Sequence, residues 1–254
     1  MTLTLDLLPR IAAVFMLMMA RIGTMVMLMP GLGETSVPQR LRLSIALALT
    51  LMFFPLVSDA YRVEMTLPAL LRLLAGELAV GFVIGATGRM LMGGLQTAGT
   101  VIANQLGLGF VTTVDPTQGQ QGAIFSGFLA LLAVTLIFAS DLHHLVIAAL
   151  YDSYTLFAPG TLPNAGDAAQ MILQTVAGAF RIAIQISAPF LVFGLIFNAG
   201  LAVLSKLMPQ MQVFFIALPA TIMLGLLLFA FVVATMMLVW LGYLQAGLQA
   251  FVTR

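Results

Sequence analysis

Asp141, His143 and His144, in the stretch FASDLHHLVI, form the only cluster of metal-ligand side chains in the 254 residues. A zinc ion usually draws three or four ligands, and the sequence holds no other histidine and no cysteine. Adjacent histidines on a helix project about 100° apart, so His143 and His144 are poorly arranged to grip one ion. The cluster reads as a hydrogen-bonded polar patch near a helix end or a subunit contact, and no metal is expected. Without cysteine there are no disulfides, thiolate sites or thiol nucleophiles. No nucleophile elbow, P-loop or HExxH pattern occurs. No catalytic residue is assigned, no cofactor is expected, and the chain reads as a non-enzyme.

Charge inside apolar segments is the next chemical signal. Arg21, Glu77, Arg89 and Arg181 all lie within such segments, where a charge is costly unless it is paired, faces a cavity or snorkels to an interface. Glu77 can pair with Arg21 or Arg181, and the sequence does not choose between them. One acid is too few for a proton relay. Gln96, Thr100 and Asn104, with Gly93, recur at spacings of three and four, a single polar stripe on an apolar helix. Such a stripe faces a protein partner or a water-filled space. Gly81 and Gly85 form a small-xxx-small pair suited to close helix packing.

Directly after the stripe comes NQLGLGFVTTVDPTQGQQGA, Asn104 to Ala123. Gly107 and Gly109 release the backbone there, and Asp115-Pro116 starts a turn. Irregular backbone at membrane depth is tolerated only where it is buried in protein or lines water. An exposed loop and an element working at membrane depth both remain open on these grounds. Met16, Met18, Met19, Met25, Met27 and Met29 crowd one stretch. Their flexible side chains suit a deformable seal or a subunit contact, but plain helix packing is the preferred reading.

The elements that must carry these residues are helices in a membrane. The chain is 61% hydrophobic and 7% charged, with mean hydropathy +1.11, whereas soluble domains carry about a quarter charged residues. A net charge of +1 lacks the basic footprint of a nucleic-acid binder. Six apolar regions stand out, at 11–29, 43–57, 73–104, 123–150, 169–204 and 212–250. A perpendicular span needs about 20 residues. The second region is short for that, while the third, fifth and sixth run well past it, which points to helices that bend or leave the bilayer. Pro189 and Pro219 are expected to kink the last two, which form a hairpin through SKLMPQM. The first region reads as a retained helix rather than a signal peptide, because no A-x-A site follows and Arg21 interrupts it. Arg10, Arg62, Arg72 and Arg254 fall on one side of six spans, and Arg40, Arg42 and Lys206 on the other. The balance sets no orientation. The fold class is an all-α integral membrane protein. A small-solute transporter is disfavoured by the scarcity of intramembrane charge and the lack of an internal repeat.

Four stretches together resemble the FliR/SctT-type family of type III export-gate membrane proteins. They are RIGTMVMLMPGLGETSVPQRLRLSIALAL (Arg21–Leu49), QLGLGFVTTVDPTQGQQ (Gln105–Gln121), DLHHLV (Asp141–Val146) and NAGLAVLSKLMPQMQVFFIALPATIMLGL (Asn198–Leu226). KLMPQMQVFF, Lys206–Phe215, is the most specific. Leu142 stands where glycine is expected, and Gln212 where asparagine is common. The resemblance implies long kinked helices packed as bent hairpins, with a FliP-like portion at 1–168 followed by a FliQ-like hairpin at 169–254. It implies assembly with FliP-like and FliQ-like subunits, and FlhB-like and FlhA-like proteins acting at the cytoplasmic side. The gate would sit in lipid in the bacterial inner (cytoplasmic) membrane, at the flagellar basal body, and conduct unfolded flagellar subunits. An injectisome subunit of the SctT type is the alternative. Carried over by position, residues 106–122 would be a plug loop, with Phe110, Val111 and Val114 as the apolar obstruction and Gly107, Gly109 and Gly119 as its flexible points.

Overall fold

Backbone held away from water must hydrogen-bond to itself, and a helix does this within one segment. The computed structural model describes residues 3–34, 37–108, 121–210 and 213–253. These form α1 (Leu3–Leu28), α2 (Gln39–Val57) with a short 3-10 turn (Ser58–Ala60), α3 (Leu67–Gln105), α4 (Gln121–Ala139), α5 (Leu142–Leu156), α6 (Ala165–Leu207) and α7 (Val213–Gln249). Among the described residues there is no strand. Each apolar region coincides with a helix, except that the fourth divides into α4 and α5. The break falls at Ser140–Asp141, where Asp141 takes φ 58°, a left-handed conformation that Asp tolerates better than most residues. Among the described residues, five helices are long and apolar enough to cross a membrane, or six if the broken pair counts as one span.

Three helices are too long for simple spans. α3, α6 and α7 have 39, 43 and 37 residues, roughly 55–65 Å each at 1.5 Å per residue. That is about twice the ~30 Å hydrocarbon core, and a straight helix would have to tilt by about 60° to fit, beyond the usual range of up to ~40°. Pro189 and Pro219 lie inside α6 and α7, and each helix continues through its proline. Each proline removes one donor from the ladder. Two residues before Pro189, the Ser187 hydroxyl donates to the Ala183 carbonyl at 2.8 Å.

The described helices pack as two compact units. The first comprises 1–91, 137–176 and 244–254, and the second 92–136 and 177–243. In the first unit, α1 buries Val14, Met18, Ile22 and Met25 along one face, and Met29 just past its end is buried too, so three of the crowded methionines are core. α3 comes against that face through glycines. A Cβ on Gly81 would lie 2.7 Å from the Arg21 carbonyl oxygen, and one on Gly85 would lie 2.9 Å from the Leu28 Cβ. Gly88 continues the series beside Met29 and Pro30. On the other side of α1, Phe15 meets Phe54 of α2 at 6.1 Å.

Arg21 sits in the middle of this unit with Glu77, both 0% exposed. Its Nε donates to one Glu77 carboxylate oxygen at 2.5 Å and its Nη2 to the other at 3.1 Å. Its Nη1 donates to the carbonyls of Ser153 and Phe157, each at 3.0 Å. These carbonyls belong to the C-terminal end of α5, which carries partial negative charge, and the Ser153 carbonyl also accepts the Phe157 amide at 3.0 Å. The Tyr154 ring closes one face of the guanidinium, 4.4 Å away, and Tyr154 packs edge-on to Tyr61 at 6.4 Å. Burial, with Tyr154 and Glu77 adding to it, pushes the Tyr61 phenol far above its ordinary range and keeps it neutral. One side chain therefore joins α1, α3 and α5.

Removing one partner of a buried pair strands the other charge and costs about 3–5 kcal/mol, whereas replacing both with apolar groups is often neutral. Arg21→Ala should lower the thermal stability of the detergent-solubilised protein steeply, and Arg21→Met with Glu77→Leu should recover most of the loss. A double variant no more stable than the single one would shift the weight from the pair to the α5 carbonyl contacts.

Candidate functional site

The second unit holds the polar stripe and the described ends of the 106–122 segment. Along the second half of α3, Met92, Leu95, Ala98, Ile102 and Ala103 are buried, as is Leu106 just past its end. Gln96 is half-buried, while Thr97, Thr100 and Asn104 are exposed. Among the described residues, the stripe is thus the more exposed face of this half of α3. Part of it lines an open cleft of about 520 Å³, formed by Gly93, Gln96, Thr97 and Thr100 with Ser126, Gly127 and Ala130 of α4. Gly99 lets the two helices meet at its edge, since a Cβ there would lie 2.7 Å from the Ser126 Cα. The hydroxyls of Thr97 and Thr100 donate to the Gly93 and Gln96 carbonyls, at 2.9 and 3.1 Å. Small and polar groups on both walls make this a wettable groove in an otherwise oily chain.

α3 ends in a specific turn. The Gly107 amide donates to the Asn104 carbonyl at 3.1 Å, and the Leu108 amide reaches back to Ala103 at 3.0 Å. With Gly107 at φ 76°, this is the Schellman arrangement, which satisfies carbonyls that the helix end would otherwise orphan. Gly107, read from the sequence as a point of backbone release, has the defined role here of stopping the helix.

The root of the segment is seated on the α6–α7 hairpin. Gln105 occupies the space that a side chain at Gly194 would fill, and Leu106 does the same at Gly225. A Cβ on Gly107 would lie 3.0 Å from Leu218. The start of α4 is fastened to the same hairpin through Phe229, whose ring lies 4.9 Å from Phe125, 6.1 Å from Phe128 and 6.3 Å from Phe190. The α3 end and the start of α4 thus dock on one hairpin. Gly109, Phe110, Val111, Val114 and Gly119 lie outside the described residues. Sequence reasoning passed over Gly194, Gly225 and Phe229. A lone glycine in an apolar helix was the available signal, since it usually marks close packing. The two glycines follow Pro189 and Pro219 by five and six residues.

The other candidates lie elsewhere. Glu77 takes Arg21 as its partner, and Arg181 is exposed on α6. Arg89 pairs with Glu34 at 3.5 Å, a contact not read from the sequence. Asp141, His143 and His144 belong to the first unit, at the start of α5.

The family described as bacterial export proteins, family 1, matches residues 12–247. The flagellar biosynthetic protein FliR of Caulobacter vibrioides is 39% identical over 225 residues, 88% of this chain and 90% of that protein. FliR of Escherichia coli is 27% identical, covering 83% of this chain and 80% of its own length. The Yop proteins translocation protein T of Yersinia pestis is 24% identical, over 84% and 83%.

A left-handed backbone costs a residue with a Cβ about 1–2 kcal/mol, and asparagine is the usual exception. Gly107→Val should fray the end of α3 and speed proteolytic cleavage within 106–122, while Gly107→Asn should cleave close to the unaltered protein. Equal cleavage of the valine variant would remove Gly107 from the account of how the segment is rooted.

Proposed function

The chain belongs to the family of bacterial export proteins, family 1, and from that premise we propose that it is a membrane-embedded subunit of the flagellar type III protein-export apparatus. The observation that carries this is the sustained match over residues 12–247, joined by FliR relatives aligned over most of their own length. The flagellar branch is preferred to the injectisome branch because identity is 39% to the Caulobacter FliR and 24% to the Yersinia protein. Several helices able to cross a membrane support the setting.

Within that reading, residues 1–168 act as the FliP-like portion and 169–254 as the FliQ-like hairpin. The chain assembles with FliP-like and FliQ-like subunits in the inner membrane, and FlhA-like and FlhB-like proteins work at the cytoplasmic side. Its task is conduction of unfolded chains, with no bond-making step of its own. Helices about twice as long as the bilayer is thick suit an assembly that rises out of the membrane plane. Segment 106–122 closes the passage. Phe110, Val111 and Val114 exclude water as an apolar constriction does, while the roots at Leu106 and Phe125 hold the segment in place. The polar stripe of Gln96, Thr100 and Asn104 suits a wet passage or a neighbouring subunit.

Deleting the gene in its bacterium should abolish motility and leave hook and filament proteins inside the cell, with both restored by the intact gene. A motile deletion strain that has lost secretion of virulence effectors would assign the chain to an injectisome instead. In the restored strain, Phe110→Ala should raise ion leakage through assembled gates, and unchanged leakage would sink the plug role.

A further inference from the structure

We propose that Asp141, His143 and His144 form a binding site for a zinc-class divalent cation at the start of α5. His143 and His144 are neighbours in the first turn of α5, where helical geometry alone spreads adjacent side chains by about 100°. Here they follow Asp141, which sits in the left-handed region at the helix N-cap, and the local path of the chain gathers the three side chains. Their ligand atoms all lie within 4.8 Å of one another. The two imidazoles stack with centroids 4.1 Å apart and planes tilted by 36°, and Phe138 packs against His143 at 5.4 Å.

Two observations argue that the cluster is more than a polar patch satisfying itself. Among the described residues the buried Nδ1 of His143 has no hydrogen-bond partner, so one ring nitrogen of the cluster has no role within it. The contact between His144 Nδ1 and an Asp141 carboxylate oxygen is 3.8 Å, too long for a hydrogen bond and too exposed to be worth much as an ion pair. The groups are close without being joined.

Donor chemistry selects the occupant. Two imidazoles and one carboxylate suit zinc and its borderline neighbours, while magnesium and calcium prefer all-oxygen sites. Three protein ligands leave the fourth tetrahedral position to water. Donors held ~2.1 Å from zinc stand about 3.4 Å apart, so this set must close by roughly an ångström. Asp141 and His144, with side chains 78% and 70% exposed, can do so by changing rotamer alone.

The test is calorimetric titration of the detergent-purified full-length chain, with whatever subunits accompany it and an affinity tag free of histidine. Zinc chloride and magnesium chloride are titrated in parallel. The expected result is one saturable zinc site per chain, no matching magnesium site, and at least tenfold weaker zinc binding in His144→Ala. His143→Ala with His144→Ala should lose the site entirely. His144→Gln, at an exposed position, guards against a folding defect in the double variant and should weaken binding as His144→Ala does. Zinc binding that is absent, unchanged in these variants, or matched by magnesium would overturn the proposal.

Discussion

A guanidinium buried away from water must have its donors answered by protein, and that requirement organises the first unit. Arg21 meets it with four hydrogen bonds to three partners, Glu77, Ser153 and Phe157. These lie on α3 and at the end of α5, so the charge can be accommodated only when α1, α3 and α5 are correctly placed. The close approach of α1 and α3 that brings Glu77 within reach depends in turn on Gly81 and Gly85, where a Cβ would strike α1. Hydrophobic burial alone gives apolar helices little preference for one neighbour over another in lipid. A buried ion pair at a glycine-lined contact gives direction to that packing, because a shifted register would leave both charges unanswered.

The second unit solves a different problem. For residues 106–122 to serve as the proposed plug, their two ends must be anchored. The Schellman turn at Gly107 and the seats at Gly194 and Gly225 fix the end of α3, and the ring cluster around Phe229 fixes the start of α4. Both fixings use the same hairpin, so a bend in that hairpin would carry both ends together. Pro189 and Pro219 lie a short distance before the seating glycines, where a missing backbone hydrogen bond makes bending easiest.

Much of this was legible in the sequence, for physical reasons. Long apolar runs give helices whatever their partners, and the spacing of Gln96, Thr100 and Asn104 marked a face distinct from the core. Gly81 and Gly85 announced a close contact without naming the helix across it. What the sequence withheld was tertiary. Glu77 had two eligible arginines, and only the fold selects Arg21. The break between α4 and α5 lies inside a continuous apolar run, and nothing in Ser140–Asp141 declares a left-handed residue. The cleft required Ser126 and Gly127 from another helix. Asp141, His143 and His144 were visible as a cluster in the sequence, but the approach of their ligand atoms to within 4.8 Å of one another belongs to the fold.

Under the proposed function, the segment rooted at Gly107 lies in the path of exported chains. The chain has no cysteine, so a single one placed at Phe110 is the sole thiol in this subunit. Crosslinking should be tested in cells against an export substrate arrested by a folded C-terminal fusion. A cysteine at Leu227, 56% exposed on α7, serves as the control. The account predicts a crosslink to the arrested substrate at Phe110 and none at Leu227. No crosslink at Phe110, in complexes shown to be assembled and occupied by substrate, would contradict it and leave the segment a part of the scaffold.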